Sequence, residues 1–502
     1  MTVEHFDVVV VGAGISGIGA AYHLQEFSPD RSFTILEGRE ALGGTWDLFR
    51  YPGVRSDSDM HTLGYSFKPW IHEKSIADGP KILEYLHETV DQFDIRRHIR
   101  FNHLVSSAEW STENQQWLVT AANPHDDTTR QYSCNFLFMC SGYYSYRGGY
   151  TPDFAGAHNF GGQIVHPQEW PEDLDYKDKR VVVIGSGATA VTLVPAMARD
   201  AAHVTMLQRS PTYMVARPDQ DAVANTMRKV LPNKIAYDLT RFKNVSRGAM
   251  IYKKTRTDPD KVRTMLLDEV RKELGPDFDV DKHFTPTYNP WDQRLCLVPN
   301  GDFFDALRWN KASVVTDHIS EFTETGISLE SGEHIEADIV VTATGLQLVT
   351  LGEMDFVVDG EPVDFADTWT YKGLAYSDVP NLVSSFGYIN ASWTLRADLT
   401  CEYVCRLLNH MRDTGSTQCT PRLRAEDASM PRRPWIDDFS SGYMQRMMPM
   451  MPKQGDRAPW LNTQSYSEDK KLFRKGPVDD GVMQFTKAPV GASAGATSSS
   501  PG

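Results

Sequence analysis

The feature that most constrains this chain is a pair of glycine-rich loops, each preceded by an apolar run. Residues 7–11, Asp-Val-Val-Val-Val, lead into the loop 12–17, Gly-Ala-Gly-Ile-Ser-Gly. The same order returns at 180–184, Arg-Val-Val-Val-Ile, before the loop 185–190, Gly-Ser-Gly-Ala-Thr-Ala. A buried strand, a glycine turn and a helix begin the βαβ unit that binds dinucleotides. The sequence therefore predicts an α/β fold with two Rossmann-like dinucleotide-binding domains.

The first loop carries the full dinucleotide pattern, with Gly12, Gly14 and Gly17 before a helix predicted at 18–27. Glycine is needed there for a tight turn, for backbone approach to a pyrophosphate and for close helix packing. Glu37 lies 20 residues after Gly17, at the spacing of a carboxylate that binds a ribose hydroxyl. The alternative is a glycine-rich turn in an α/β domain that binds no nucleotide.

The second loop is followed by basic rather than acidic chemistry. The next strand, predicted at 203–208, ends before Arg209 and Ser210. A guanidinium beside a hydroxyl suits a 2′-phosphate, which a carboxylate would repel; the alternative is an ordinary surface arginine. The acid at the first site and the base at the second predict FAD and NADP, respectively. The residues predicted to bind NADP are Gly185, Ser186, Gly187, Thr189, Arg209 and Ser210.

The two units predict two domains, one inserted in the other. We expect a discontinuous FAD-binding domain of residues 1–147 and 336–488, and an NADP-binding domain of residues 148–335. A helical insert is predicted within the second domain at about 215–285. The tail 489–502, made of small residues with Ser, Thr and Pro, is predicted to be disordered.

The predicted insert has an unusual charge. Residues 221–263 contain 11 Lys or Arg and 4 Asp or Glu, and Val262, Leu266, Val270 and Leu274 recur every four residues, as in a helix with one buried side. The basic residues are expected to contact an anionic membrane surface, to steer NADPH, or simply to form a solvated helical face.

Composition narrows the function classes. Over 502 residues, 51 Lys and Arg face 66 Asp and Glu, for a formal charge of −15, which argues against a general nucleic-acid binder. No run of about 20 apolar residues predicts a membrane span, and Glu4, His5 and Asp7 stand where a signal peptide needs a basic flank. Six cysteines without a CxxC pair predict no metal site and a cytoplasmic protein.

Two long motifs carry a resemblance to a known family. Residues 43–57 fit (A/G)GxWxxxx(F/Y)PGxxxD, and residues 160–171 fit FxGxxxHxxxWP, at every fixed position. The absence of cysteine from 37 to 133 excludes a disulfide reductase with a redox pair after the first loop. From about residue 5 to 465 the chain resembles the type I Baeyer–Villiger monooxygenases, especially the branch with the ethionamide-activating monooxygenase.

The resemblance implies which residues are catalytic. Arg294 matches the family's catalytic arginine, and Asp57 matches its carboxylate partner. A fixed guanidinium would stabilise the anionic C4a-peroxyflavin that attacks a ketone. The alternatives are a structural ion pair for Arg294 and a surface carboxylate for Asp57. Many members have lysine before the arginine, whereas this chain has Gln293, so NADPH preference is expected to be weaker than usual.

The resemblance also implies roles outside this pair. His166 is expected to be an interdomain hinge, or else an ordinary hydrogen-bonded histidine. Trp460 is expected either to cover the nicotinamide or to pack. The residues expected to bind FAD are Gly12, Gly14, Ser16, Gly17, Glu37, Gly44, Thr45, Trp46, Asp57 and Val105.

The predicted function is NADPH- and O2-dependent conversion of small lipophilic ketones to esters or lactones, with sulfoxidation as a second activity. The first alternative is a flavin-containing monooxygenase that oxygenates nitrogen and sulfur in thioamides and sulfides; Trp170-Pro171 argues against it, because those enzymes have Tyr/Phe-Lys there. The second is a flavin-bearing sensor without turnover. Five methionines within 444–451 are expected to line an access path or to fill core space.

Overall fold

The computed structural model describes residues 3–126, 128–437 and 439–487, so the predicted disordered tail 489–502 lies outside the described residues. The strands are β1 (Glu4–Val11), β2 (Phe33–Leu36), β3 (Ile99–Arg100), β4 (Leu104–Ser111), β5 (Gln116–Ala122), β6 (Thr129–Met139), β7 (Gln163–Val165), β8 (Arg180–Ile184), β9 (His203–Gln208), β10 (Met214–Arg217), β11 (Cys296–Pro299), β12 (Ala312–Thr316), β13 (Ile319–Thr323), β14 (Gly326–Leu329), β15 (His334–Glu336), β16 (Ile339–Thr342), β17 (Asp355–Val358), β18 (Glu361–Pro362), β19 (Thr370–Tyr371), β20 (Ala375–Tyr376), β21 (Leu382–Ser384), β22 (Gln418–Pro421) and β23 (Met483–Thr486). The α-helices are α1 (Ile15–Phe27), α2 (Thr45–Leu48), α3 (Met60–Leu63), α4 (Gly79–Gln92), α5 (Ala188–Met197), α6 (Ala222–Val230), α7 (Asn233–Thr257), α8 (Pro259–Leu274), α9 (Val280–His283), α10 (Asp302–Arg308), α11 (Trp393–Thr414), α12 (Gly442–Met447) and α13 (Tyr466–Lys475).

The first sheet has the strand order β18-β17-β4-β5-β6-β1-β2-β3, with β21 beside β6. β1 lies parallel to both β2 and β6. Its residues Val8, Val9 and Val10 have no exposed surface, because a central parallel strand is covered on both faces. Helix α1 begins at Ile15, three residues before the predicted start, since Gly14 already caps it.

The second sheet is parallel and has the order β12-β9-β8-β16-β7. β8, α5 and β9 repeat the arrangement of β1, α1 and β2, so the predicted α/β fold with two Rossmann-like units is confirmed. β16 pairs with β8 and β7, and residues 339–342 therefore belong to the second sheet. From the sequence they were expected in the first domain, whose second segment was predicted to start at 336; the difference arises because strand pairing is a long-range property.

The helical insert consists of α6, α7, α8 and α9 and lies between β10 and β11, which pair in parallel. It starts at 222 rather than 215, because residues 214–217 form β10. In α8, Val262, Leu266 and Val270 are buried, as their spacing predicts. Among the described residues, no helix combines the length and the apolar character needed to cross a bilayer.

The chain crosses between the two sheets twice, after β6 and after β16. The second sheet is therefore an insertion in the first domain, which is completed by β17, β18, β21 and the long helix α11. Helix α11 packs against α1, so residues from both ends of the chain support the first glycine loop.

Candidate active site

Two glycines of the first loop, Gly12 and Gly17, have no room for a side chain. Gly12 has a φ of +100°, and a Cβ on it would lie 2.7 Å from the carbonyl oxygen of Cys140. A Cβ on Gly17 would lie 1.8 Å from the carbonyl oxygen of Gly12, and one on Gly14 would lie 3.6 Å from the Cα atom of Gly44. The loop 12–17 and the turn at 43–46 thus approach each other through glycine, leaving backbone and the N-terminus of α1 to face a ligand.

Glu37 fixes the conformation of this loop. Its buried carboxylate accepts hydrogen bonds from the backbone N–H groups of Ala13, at 2.7 Å, and Arg39, at 3.0 Å. Burial raises the pKa of the Glu37 carboxyl, although both N–H donors favour the ionised form. Glu37 also lines the cavity described next. Its position is therefore compatible with the contact to a ribose hydroxyl that its spacing predicts.

One cavity of about 390 Å³ joins both glycine loops. Of the residues predicted to bind FAD, those that line it are Gly12, Gly14, Ser16, Glu37, Gly44, Thr45, Trp46 and Asp57. Gly17 packs behind the loop. Val105 is buried in β4, in a core on the other face of the first sheet, and is not among the described lining residues. A bare backbone cradle at a helix N-terminus fits a dinucleotide pyrophosphate.

The second glycine loop reaches the same cavity. Gly185 has a φ of +131°, and a Cβ there would lie 2.3 Å from the carbonyl oxygen of Ala343. Gly187 and Thr189 line the cavity. The Ser186 hydroxyl donates to the Ser210 carbonyl oxygen at 3.0 Å, which ties this loop to the end of β9. Arg209 and Ser210 are exposed there, in the position predicted for binding a 2′-phosphate.

Arg294 and Asp57 form an ion pair at the cavity wall. Nε and Nη2 of Arg294 lie 2.8 Å and 2.6 Å from the same Asp57 carboxylate oxygen, and Nη1 donates to the Ile389 carbonyl oxygen at 2.9 Å. Burial lowers the pKa of the Arg294 guanidinium, but the charge and hydrogen bond of Asp57, together with Tyr443 and Tyr143, outweigh burial and hold that pKa above its ordinary value. The arginine therefore stays protonated, while 30% of its side chain remains exposed toward the cavity.

Several tyrosines that were not predicted from the sequence surround this pair. The hydroxyls of Tyr143 and Tyr144 lie 2.9 Å apart, and both residues line the cavity with Tyr443. Burial raises the pKa of Tyr143 to about 12 and also raises the pKa of Tyr443, so these phenols are neutral. Tyr143 and Tyr144 follow the carboxyl end of β6, where ligands of open α/β sheets bind; that position was the available signal.

His166 contacts both chain crossings between the sheets. Its Nε2 donates to the Gly345 carbonyl oxygen at 3.2 Å, and its Nδ1 accepts from the Gln168 backbone N–H at 3.1 Å. A Cβ on Gly149 would lie 1.8 Å from the His166 ring. Burial lowers the pKa of His166, which favours the neutral ring that these bonds require. His166 is thus hydrogen-bonded, and the predicted hinge role stays a proposal.

Trp460 and the methionines within 444–451 are not among the described lining residues of the cavity. Trp460 has no exposed surface, and its Nε1 donates to the Asp427 carboxylate at 3.1 Å. It packs in the core of the first domain, the second of the two expectations. Met444 and Met447 are buried in a cluster with Trp435, and neither is among the described lining residues, so they fill core space rather than line this cavity.

Comparisons with known proteins agree with this architecture. The family described as flavin-binding monooxygenase-like matches residues 6–245. The chain is 53% identical, over 97% of its length and 99% of the relative, to the FAD-containing monooxygenase EthA of Mycobacterium tuberculosis. It is 49% identical, over 96% and 97%, to the probable FAD-binding monooxygenase AlmA of Acinetobacter baylyi.

Solved structures show the same fold. An oxidized steroid monooxygenase bound to NADP superimposes with a TM-score of 0.71 at 27% identity, over 84% of this chain and 88% of the other. The cyclohexanone monooxygenase of Rhodococcus sp. Phi1, bound to NADP+, gives a TM-score of 0.71 at 22% identity, over 85% and 88%, and supports the fold alone. The chain therefore belongs to the FAD-containing monooxygenases of the flavin-binding, Baeyer–Villiger-like family, close to the EthA branch.

Proposed function

We propose that this flavoprotein uses FAD, NADPH and O2 to insert one oxygen atom beside the carbonyl of a small lipophilic ketone, giving an ester or lactone. The observation that carries the proposal is the Asp57–Arg294 pair in the wall of a cavity that both glycine loops also line. One oxygen atom enters the carbon–carbon bond, and the other leaves as water with electrons from NADPH. The FAD-containing relatives and the NADP-bound steroid monooxygenase support the two cofactors.

The two loops supply separate binding sites. The loop 12–17 and the turn 44–46 would hold the FAD pyrophosphate with backbone N–H groups. The loop 185–189 would hold the NADP pyrophosphate, and Arg209 with Ser210 its 2′-phosphate. Bound FAD, once reduced, supplies the site of oxygen activation. With Gln293 in place of lysine, the phosphate depends on fewer cations.

Arg294 would stabilise the negative charge that develops on oxygen during attack on the ketone. Its guanidinium is oriented by two bonds to Asp57 and one to the Ile389 carbonyl, so little reorganisation is needed. Such preorganised donors contribute most where water is excluded. The neutral phenols of Tyr143 and Tyr443 border the same space without adding a competing charge. Asp57 is then the orienting carboxylate.

Replacing Arg294 by alanine tests the proposal. In Arg294→Ala, ester formation from a ketone panel should fall by about 100- to 1,000-fold, the usual effect of removing a preorganised donor. FAD content and flavin reduction by NADPH should persist. The matched control is Arg50→Ala, because Arg50 lies in the motif 43–57 that also contains Asp57, is 48% exposed and pairs with Asp47. Ester formation by Arg294→Ala at the wild-type rate would contradict the proposal.

Oxygenation of sulfur is the second candidate, favoured by the match to the flavin-binding monooxygenase-like family. Transfer to a thioamide or sulfide places no negative charge on a carbonyl oxygen, so it has less need of Arg294. A wild-type enzyme that forms sulfoxides but no ester from any ketone would establish this function instead. If both reactions occur, Arg294→Ala should lose ester formation and keep sulfoxide formation.

A further inference from the structure

Helix α7 presents an apolar stripe to solvent. Ile235, Leu239, Phe242 and Met250 recur at intervals of four, three and eight residues, which places them on one side of the helix. Their exposed fractions are 50%, 48%, 72% and 66%. The opposite side carries the buried Arg241. A helix that packs on a protein core normally buries its apolar side and exposes its charged side. Packing among the residues that the structure describes therefore does not explain the stripe.

Helices α6 and α8, which contact α7, also carry exposed apolar side chains. In α6, Val223 and Val230 are 52% and 76% exposed, and in α8, Met265 is 50% exposed. Within the described residues, 17 large apolar side chains are exposed, and 8 of them lie in the 44 residues from 222 to 265. Scattered exposed apolar residues are ordinary, but a concentrated patch marks an interaction surface. We call residues 222–265 the exposed helical face.

This face is also basic. Residues 222–257 contain nine Lys or Arg and a single acid, Asp238, in a chain of net charge −15. Asp238 already pairs with Lys234. The exposed basic residues for which the described part of the chain offers no carboxylate within 4.0 Å are Lys229, Arg247, Lys253, Lys254 and Lys261. Exposed apolar side chains interspersed with unpaired cations are complementary to a partner whose interior is apolar and whose outer layer is anionic.

We propose that the exposed helical face docks on a lipid bilayer that contains anionic lipids. Its apolar side chains would enter the boundary between headgroups and acyl chains, and its lysines would contact anionic headgroups. A second copy of the chain fits less well, because a two-fold interface would place this basic face against itself. The helices would lie on the membrane without crossing it.

The inner side of α7 supports the segments that carry the catalytic pair. The Asn244 side chain donates to Asp59 at 2.9 Å, and Asp59 follows Asp57 by two residues. The Arg256 guanidinium donates to Asp292 at 2.8 Å, and Asp292 precedes Arg294 by two residues. In a docked enzyme, helix α7 would therefore lie between the bilayer, in which lipophilic substrates dissolve, and the segments that carry the catalytic pair. This consequence rests on the proposed function; the docking itself does not.

Vesicle flotation of the FAD-loaded protein tests the docking. Wild type should float with vesicles of phosphatidylcholine and phosphatidylglycerol, less so with phosphatidylcholine alone, and less at high salt, which screens charges. Phe242→Glu should lower the partition coefficient at least about tenfold, because a charge replaces an inserted ring. The matched control is Phe27→Glu, since Phe27 is 50% exposed at the end of α1 and should leave partition unchanged.

A charge-reversal pair provides a second variant. Lys253→Glu with Lys254→Glu should lower partition to anionic vesicles at least about tenfold at low salt. The control reverses the exposed adjacent pair Lys470 and Lys471 in α13. All variants should oxidise NADPH with a water-soluble ketone at the wild-type rate, so a failure of docking is separable from a failure of the reaction.

Three results would overturn the docking proposal. The first is that wild type does not float with anionic vesicles at low salt. The second is that the control variants lose as much partition as the variants in the exposed helical face. The third is that wild type is dimeric by light scattering, does not float, and becomes monomeric with Phe242→Glu, which would identify the face as an interface between two copies of the chain.

Discussion

Among single residues, Arg209 offers the sharpest test of cofactor choice. It is exposed after β9, beside Ser210, whose carbonyl accepts from Ser186 of the second glycine loop. A hydrogen bond to a charged group contributes about 1.5–3 kcal/mol, so Arg209→Ala should lower kcat/KM for NADPH by about 10- to 150-fold. NADH lacks the 2′-phosphate, and its kcat/KM should change little. Steady-state kinetics with both coenzymes measures the difference.

The control for this prediction is Arg199→Ala, because Arg199 is also an exposed arginine of the second domain. Its removal should affect both coenzymes equally and slightly. An equal loss for NADPH and NADH in Arg209→Ala would assign the residue to structure rather than to phosphate binding. Gln293→Lys should act in the opposite direction and strengthen the preference for NADPH.

Some site residues could be predicted because a short segment of sequence identifies them. Others could not, because only the packing of distant segments brings them to the site. Gly12 and Gly185 were predictable because the strand, the glycine pattern and the helix that mark a dinucleotide loop all lie within one short segment of sequence. Tyr443, which lines the cavity near Arg294, comes from a distant segment, and only packing brings it there. Trp460 was ambiguous because a lone tryptophan in a loop serves equally well as a lid or as core.

At the scale of elements, the two segments that connect the sheets, after β6 and after β16, both contact His166. A Cβ on Gly149 would lie 1.8 Å from the imidazole ring, which also donates to the Gly345 carbonyl. Gly149→Ala should therefore displace the ring and disturb the approach of the two domains. We expect flavin reduction by NADPH to slow by about tenfold or more, since displacements near 1 Å can cost about 100-fold. FAD content should be unchanged.

Stopped-flow absorbance under anaerobic conditions measures that reduction rate. Gly248→Ala is the control, because Gly248 lies in α7 and a Cβ added to it would meet no atom of the described residues within 4 Å. Unchanged reduction in Gly149→Ala would remove His166 from any hinge role, whereas a loss of FAD would indicate general unfolding instead.

Element boundaries were predictable where the period of apolar residues was clear, as in α8. The predicted boundaries differ from the observed ones where strand pairing determines the element. Residues 214–217 form β10 because β11, about 80 residues later in sequence, lies beside them, and nothing local distinguishes them from the insert. β16 joins the second sheet for the same reason. Long-range pairing overrides local pattern at such points.

For the whole molecule, six buried thiols predict how stability depends on pH. All six cysteines are free and buried. Burial raises the pKa of Cys134, Cys296, Cys405 and Cys419 to about 12, against about 8.5 in an unfolded chain. A raised folded pKa contributes stability that is complete below the unfolded pKa and is lost as pH rises toward the folded value. Tm should therefore fall from about pH 8 to about pH 10.

Differential scanning calorimetry across that range measures the change, and thiol labelling provides an independent check. At neutral pH the native protein should resist a thiol reagent, and six groups should react after unfolding. A flat Tm over the alkaline range, or rapid labelling of the native protein, would show that the cysteines are accessible.

The insertion of the second domain in the first sets an order of assembly during translation. A ribosome completes every strand of the second sheet, residues 163–342, before it begins β17. Trp393, which lines the cavity and starts α11, emerges later still. A chain terminated after β16 could thus fold its NADP-binding domain and yet remain colourless. It would lack the yellow FAD, because the FAD-binding domain is finished only by the last quarter of the polypeptide.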